Sequence, residues 1–264
     1  MTESTMTDHT HRFDAMSPGR KAAYILACFV LGDLLILGLH LVLGGHDTFG
    51  AIFDLDKEGN LPTWFSSCKF SVAALAAALC FLGERRAGLG LRFRAAWLAI
   101  SLLMLFMSAD ETAQFHEHAI EWIMNSPLGG LLRRAFMTDV TADALLWGLL
   151  ASPLLMALAV YTLSFYWTRL RSRPLLMAGG GLAIALLAGA LTLETEEAAL
   201  LSGHGAFSLE VWNHYRVLTG LEELMEQLAA SLLATIHFAY AFALEEQPSK
   251  SNADADQKQL PEVG

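Results

Sequence analysis

Six stretches of about 20 mostly apolar residues recur along the chain, and no other property limits its fold as strongly. At 1.5 Å per residue, a helix of that length spans the roughly 30 Å hydrocarbon core of a bilayer. Lipid offers no partner to a backbone N–H or C=O, so a spanning segment must satisfy its own groups, and runs this long do so as helices. The expected fold is all-α, a polytopic membrane helical bundle with spans at about 22–43, 62–83, 95–109, 140–167, 175–193 and 219–244. Residues 1–21 read as a polar N-terminal segment, and residues 245–264 as a polar, disordered tail. Hydrophobic residues are 54% of the 264 and charged residues 17%, with a mean hydropathy of +0.42. Soluble domains carry about 25% charge, and six spans with their loops leave no room for a sizeable soluble domain.

The net charge of −10 argues against a nucleic-acid partner, which needs clustered Lys and Arg. Cys28, Cys68 and Cys80 all fall inside apolar runs and give neither a disulfide framework nor a CxxC pair. The first 20 residues contain no short apolar core and no small-residue cleavage site, so the first span is expected to serve as the insertion signal.

Basic residues set the expected orientation. Arg12, Arg20 and Lys21 precede span one, Arg85, Arg86, Arg92 and Arg94 fill the loop after span two, and Arg169, Arg171 and Arg173 follow span four. By the positive-inside rule both termini are then cytoplasmic. The opposite loops and helix ends hold seventeen acids against four basic residues, Lys57, Arg133, Arg134 and Arg216. Such a surface concentrates cations.

The densest of the polar stretches is Ser108–Trp122, SADETAQFHEHAIEW, where charge begins as span three ends. Continued as one helix, it places Asp110, Glu111, Gln114, Glu117, His118 and Glu121 in an arc of about 120°, with His116 outside it. Asp110 and Glu111 touch the last apolar turn and read as functional, because ionisable groups in a membrane are expensive and face an interior. Glu121 reads as solvated surface. On span five, Glu194 and Glu197 share a face while Glu196 does not. On span six, Glu222, Glu223 and Glu226 lie on one arc with His237 far deeper. Thr219 and Glu222 have capping-box spacing, which gives Glu222 a structural role. His237 reads as an interhelical hydrogen bonder. Asp33 and His40 share a face of span one, and Lys69 lies about two turns inside span two. Asp33 and Lys69 form either a structural ion pair or a proton relay. The stretch Asp54–Asn60, DLDKEGN, opens like a calcium loop but has Phe65 where a bidentate Glu is needed, so it reads as a turn.

Carboxylates and imidazoles on several helices suit hard or borderline cations. A diiron bundle uses Glu-x-x-His pairs, which are absent here, whereas zinc accepts mixed His and carboxylate. No nucleophile elbow, Walker loop, Rossmann fingerprint or haem motif is present. The stretches PTWFSS (Pro62–Ser67) and S-x-D-E-x4-H-E (Ser108–Glu117) resemble a group of uncharacterised bacterial multi-pass membrane proteins. That resemblance covers spans two and three and implies a bacterial inner-membrane location and no particular activity.

The leading expectation is a metal-dependent membrane enzyme acting on a lipid or other membrane-partitioned substrate. Glu111, Glu117 and Glu223 would supply acid–base chemistry, and Asp110, Glu111, His116, His118, Glu194, Glu197, Glu226 and His40 would hold divalent iron or zinc. One rival is a cation- or proton-coupled transporter with Asp33, Lys69 and His237 as a deeper relay. The other is a non-catalytic membrane partner or assembly factor.

Overall fold

A computed structural model describes residues 16–43, 50–55, 57, 59–136, 142–203 and 209–246. Within these, the side chains at 116, 117, 120, 124, 132–136, 142–152, 195, 197–203 and 209–213 lie outside the described set. Eight α-helices and one short 3₁₀ turn make up the described residues, with no strand among them: α1 Pro18–Leu43, the turn Gly50–Phe53, α2 Leu61–Arg86, α3 Leu91–Ala113, α4 Phe115–Met124, α5 Pro127–Phe136, α6 Ala142–Leu170, α7 Pro174–Gly203 and α8 Leu209–Glu245. Among the described residues, stretches of α1, α2, α3, α7 and α8 are long and apolar enough to cross a membrane. The expected span at 140–167 coincides with α6, much of whose N-terminal half has side chains outside the described set. Residues 1–15 of the expected N-terminal segment and 247–264 of the expected tail lie outside the described residues.

The outward faces explain why such a bundle needs lipid. Leu31, Leu34, Leu35 and Val42 on α1, Leu102, Leu105 and Phe106 on α3, and Leu154, Met156 and Val160 on α6 are all exposed. A contiguous apolar surface of this kind is not tolerated in water. The chain is a multi-pass membrane protein.

The most enclosed helix is α8, whose membrane-length stretch is 72% buried against 17% for that of α1. It packs on α1, α2 and α7, while α3 packs on α2 and α6 on α7. Small residues permit this: Ala73, Ala76 and Ala77 of α2 and Ala229, Ala230 and Ala234 of α8 are all fully buried, letting backbones approach. A Cβ on Gly180 of α7 would stand 2.6 Å from Cδ2 of Tyr166, so glycine is what lets α6 lay that ring against α7. Trp97 of α3 meets Phe165 of α6 edge to face, with centroids 5.0 Å apart, closing the bundle at the end rich in arginine. We call this the basic end and the other, where α3 reaches Asp110 and Glu111, the acidic end.

The entry to α2 accounts for the DLDKEGN stretch. Asn60 Oδ1 accepts from the Thr63 N–H at 3.2 Å, capping α2, and Asn60 Nδ2 donates to the Asp54 carbonyl at 2.5 Å. The described residues of the stretch form a turn that delivers the chain into a capped helix.

Two local expectations are overturned. Ser108–Trp122 is not one helix. α3 ends at Ala113, Gln114 takes left-handed backbone angles (φ 53°, ψ 41°), and α4 starts at Phe115. The Gln114 N–H donates to the Asp110 carbonyl at 2.7 Å, closing α3 with an αL cap, and the Gln114 carbonyl accepts from the His118 N–H at 3.0 Å, opening α4. The second correction concerns Thr219 and Glu222. Helix α8 begins at Leu209, ten residues before the expected start, so Thr219 is inside it and its hydroxyl donates back to the Tyr215 carbonyl at 3.2 Å. No capping box exists there, because the polar turns before Thr219 continue the helix.

Candidate functional site

Helix α2 brings its polar residues to α3 through hydroxyls. Ser67 Oγ donates to the Ser108 carbonyl and Ser108 Oγ to the Ser67 carbonyl, each at 2.8 Å, and Ser71 Oγ lies 2.8 Å from Ser108 Oγ. The two stretches that carry the family resemblance, PTWFSS and SADE, therefore meet at this point. One consequence is that Glu111, three residues past Ser108, is held near the α2 turn that bears Lys69.

Lys69 is fully buried. Its ammonium donates to Asp33 Oδ1 of α1 at 2.5 Å and to the Gln227 carbonyl of α8 at 3.0 Å, and it stands 4.9 Å from the Phe65 ring centroid. Asp33 is 1% exposed, and its second oxygen accepts from Ser231 Oγ at 2.8 Å. The Gln227 carbonyl is equally close to that hydroxyl, at 2.8 Å. Ser231 has one proton to give, and the charged carboxylate is the stronger acceptor. Three helices thus converge on one charge pair. Such a pair survives burial only with hydrogen bonds to its remaining lone pairs and protons, and these are supplied here. Glu111 of α3 and Glu223 of α8 lie near enough to act electrostatically on the Lys69 charge. Both are half-buried, as are Asp110, Glu194, Glu222 and Glu226, and each of these six has an interaction partner. Gln227 Oε1 is buried without a hydrogen-bond partner among the described residues. On α8, Glu223, Gln227, Ser231 and Thr235 follow at intervals of four, so one helix stripe carries polar groups from the half-buried acids to the pair.

The other expected ligands are distributed differently. His40 is buried, with Nδ1 accepting from the Leu55 N–H at 3.0 Å. That bond requires a bare Nδ1, so the 3.6 Å separation from Asp54 Oδ1 is a contact and not an ion pair. Arg216 of α8 donates to the His40 carbonyl at 2.8 Å, satisfying one of the open carbonyls in the last turn of α1. His118 is exposed and its Nδ1 stands 2.8 Å from the Gln114 carbonyl. The side chains of His116, Glu117 and Glu197 lie outside the described residues. Among the described residues, no group of three or more His, Cys, Asp or Glu is arranged to hold a metal ion. The expected metal site in which Asp110, Glu111, His118, Glu194, Glu226 and His40 join is not assembled by the described residues; the break at Gln114 puts His118 on a separate helix, and the Leu55 N–H takes Nδ1 of His40.

His237 lies six residues beyond Ser231 on α8, about 9 Å by helical rise, toward the basic end. Nε2 is 2.6 Å from Tyr166 Oη, Nδ1 is 3.4 Å from the Ala73 carbonyl, and Trp97 packs edge-on at 5.3 Å. Cys80 Sγ donates to the His237 carbonyl at 3.1 Å.

One buried acid was absent from every sequence-derived site. Glu84 is fully buried, and its Oε1 accepts from Trp97 Nε1 at 2.9 Å, Arg169 Nε at 2.6 Å and Tyr240 Oη at 2.9 Å. A span ending at residue 83 assigns it to a solvated arginine loop. Its spacing from Ala73, Ala77 and Cys80, at steps of four, three and four, places it on the same buried face, and that was the available signal.

The family model described as "Domain of unknown function (DUF8692)" matches residues 23–240, from the second turn of α1 to Tyr240. Neither a curated protein nor a solved structure matches the chain.

Proposed function

Because the chain belongs to the DUF8692 family, whose function is unknown, no activity is carried over from a relative, and we propose one from the geometry: a proton- or cation-coupled membrane transporter. The observation that carries this reading is the Asp33–Lys69 pair, buried where α1, α2 and α8 meet, with Glu111 and Glu223 within electrostatic reach. A pair that merely tied helices together would be replaceable by apolar packing at little cost or even a gain. Placed beside half-buried acids, it has a use, since Asp33 can exchange a proton or cation with the acidic mouth while Lys69 holds the empty state neutral. The partnerless Gln227 Oε1 adds an acceptor for water or a polar substrate group beside the pair. We read both termini as cytoplasmic and the acidic end as the outer mouth, supported by the arginines of the basic end. The resemblance noted in PTWFSS and SADE supports a bacterial inner membrane.

The metal-dependent enzyme reading has less support, since no three acids or imidazoles among the described residues are arranged to hold a metal ion. Stoichiometric transition metal in purified protein, lost in Glu111→Ala and Glu226→Ala, would restore it.

The test is flux. Purified protein in liposomes loaded with a pH-sensitive or sodium-sensitive dye, under an imposed gradient, is expected to carry proton or cation flux that Asp33→Asn abolishes. Absence of wild-type flux, or equal flux in Asp33→Asn, would sink the proposal.

A further inference from the structure

Glu84 is bonded in an asymmetric way. Three helices other than its own, α3, α6 and α8, each send a donor to Oε1, while Oε2 is buried with no partner among the described residues. A carboxylate that only tied helices together would be expected to spread its donors over both oxygens, because each bare buried acceptor costs about 1–3 kcal/mol. The cation that neutralises it is the one member of the cluster that reaches outward. The Arg169 side chain is 21% exposed, and its guanidinium lies over Phe93 at 5.3 Å and Tyr240 at 5.7 Å. Among the described residues, the charged and titratable groups facing Glu84 are Arg169 from α6, Tyr240 from α8 and Cys80 one turn back on α2, with Arg173 over the Tyr240 ring at 5.2 Å. Behind Glu84, toward the middle of the bundle, come Cys80, then His237 with Tyr166, and then the polar stripe of α8 that leads to Asp33.

Two charge pairs therefore close this bundle, roughly 22 Å apart along α2 by helical rise from Lys69 to Glu84. We propose that the Glu84–Arg169 pair is a proton-operated gate at the basic end, shut in this structure and released when Glu84 Oε2 takes a proton. This rests on the transport reading, to which it adds the second end of the route. In the step, a hydronium ion of the aqueous phase gives its proton to Oε2, an O–H bond forms and water is left behind. Glu84 becomes neutral and Arg169 loses its counter-ion. The guanidinium then turns outward, where it is already partly exposed, and the side chains behind it are uncovered.

Native Cys80 reports the opening. It is fully buried one helical turn behind Glu84, so labelling by a small, water-soluble maleimide requires that its cover open. With Cys28→Ser and Cys68→Ser, Cys80 is the single thiol, and Glu84→Gln imitates the protonated acid. Glu84→Gln is expected to raise the rate of Cys80 labelling about tenfold or more, and Arg169→Gln to do the same if the first variant folds poorly. In the matching background with Cys28→Ser and Cys80→Ser, labelling of Cys68 beside Lys69 is expected to stay unchanged. Unchanged Cys80 labelling in a folded variant overturns the gate, and so does a parallel rise at Cys68, which marks general loosening. The readout does not depend on flux. Loss of flux in Asp33→Asn with an unresponsive Cys80 removes the gate alone, and a responsive Cys80 without wild-type flux removes the transport reading alone.

Discussion

The phenolic oxygen of Tyr166 stands 2.6 Å from Nε2 of His237, and both side chains are completely buried between α6 and α8. Neither group has water as an alternative, so each satisfies the other. Tyr166→Phe leaves Nε2 stranded and is expected to lower stability by about 1–3 kcal/mol, read as a drop in melting temperature in lipid or detergent. Gly180→Ala attacks the same contact from α7 by pushing on the Tyr166 ring, at a cost of about 1–3 kcal/mol. A neutral result for both would show that the ring is free to move.

The Asp33–Lys69 pair separates stability from activity. Lys69→Met leaves a buried carboxylate uncompensated and is expected to destabilise by about 3–5 kcal/mol. Adding Asp33→Leu to Lys69→Met is expected to recover most of that loss while flux stays absent. Melting curves and liposome flux on the same preparations check both halves. Full flux in the double variant would show that the charges only hold helices together.

Ser108 joins α3 to α2 through hydrogen bonds with Ser67 and Ser71. Interhelical bonds in membranes contribute about 0.6 kcal/mol each on average and about 1.7 at most. Ser108→Ala is therefore expected to cost about 1 kcal/mol in stability. Since Glu111 is positioned by this joint, the same change is expected to reduce proton flux by more than its effect on folding accounts for.

Gln114 gives a test by sign. In left-handed backbone a residue with a Cβ costs roughly 1–2 kcal/mol, which Gln114→Gly removes, so that variant is expected to be more stable by about 1 kcal/mol. Were Ser108–Trp122 one uninterrupted helix, the same glycine would destabilise by about 1 kcal/mol. Thermal unfolding of the single variant decides between the two.

Much of the bundle is legible in the chain because lipid makes local demands. Run length places the helices, and the expense of a lone buried charge points to Asp33 and Lys69 finding each other. The acidic stretch folds differently from its helical phase for a definite reason. Helical phase carries information only within one helix, and the break at Gln114 has neither Gly nor Pro to announce it, only a glutamine forced into αL geometry. The same limit hides the start of α8, where Val211 to Arg216 mix polar and apolar residues without a sustained apolar run and read as loop. Glu84 escaped because its neighbours in sequence are Arg85 and Arg86, whereas its neighbours in space are Trp97, Arg169 and Tyr240. Composition describes the first set and only folding creates the second.

The order in which the chain is made gives the Asp33–Lys69 contact a further consequence. Each residue alone opposes membrane insertion of its helix by about 2.5–3.5 kcal/mol near the bilayer centre. They lie on consecutive helices, so the nascent chain can hand both to the bilayer as a neutralised hairpin. Gln227 and Ser231, which complete the joint, arrive later in synthesis, on α8. Biogenesis would then have a single late checkpoint, at which α8 seats and the half-finished hairpin stops being a target for quality-control proteolysis.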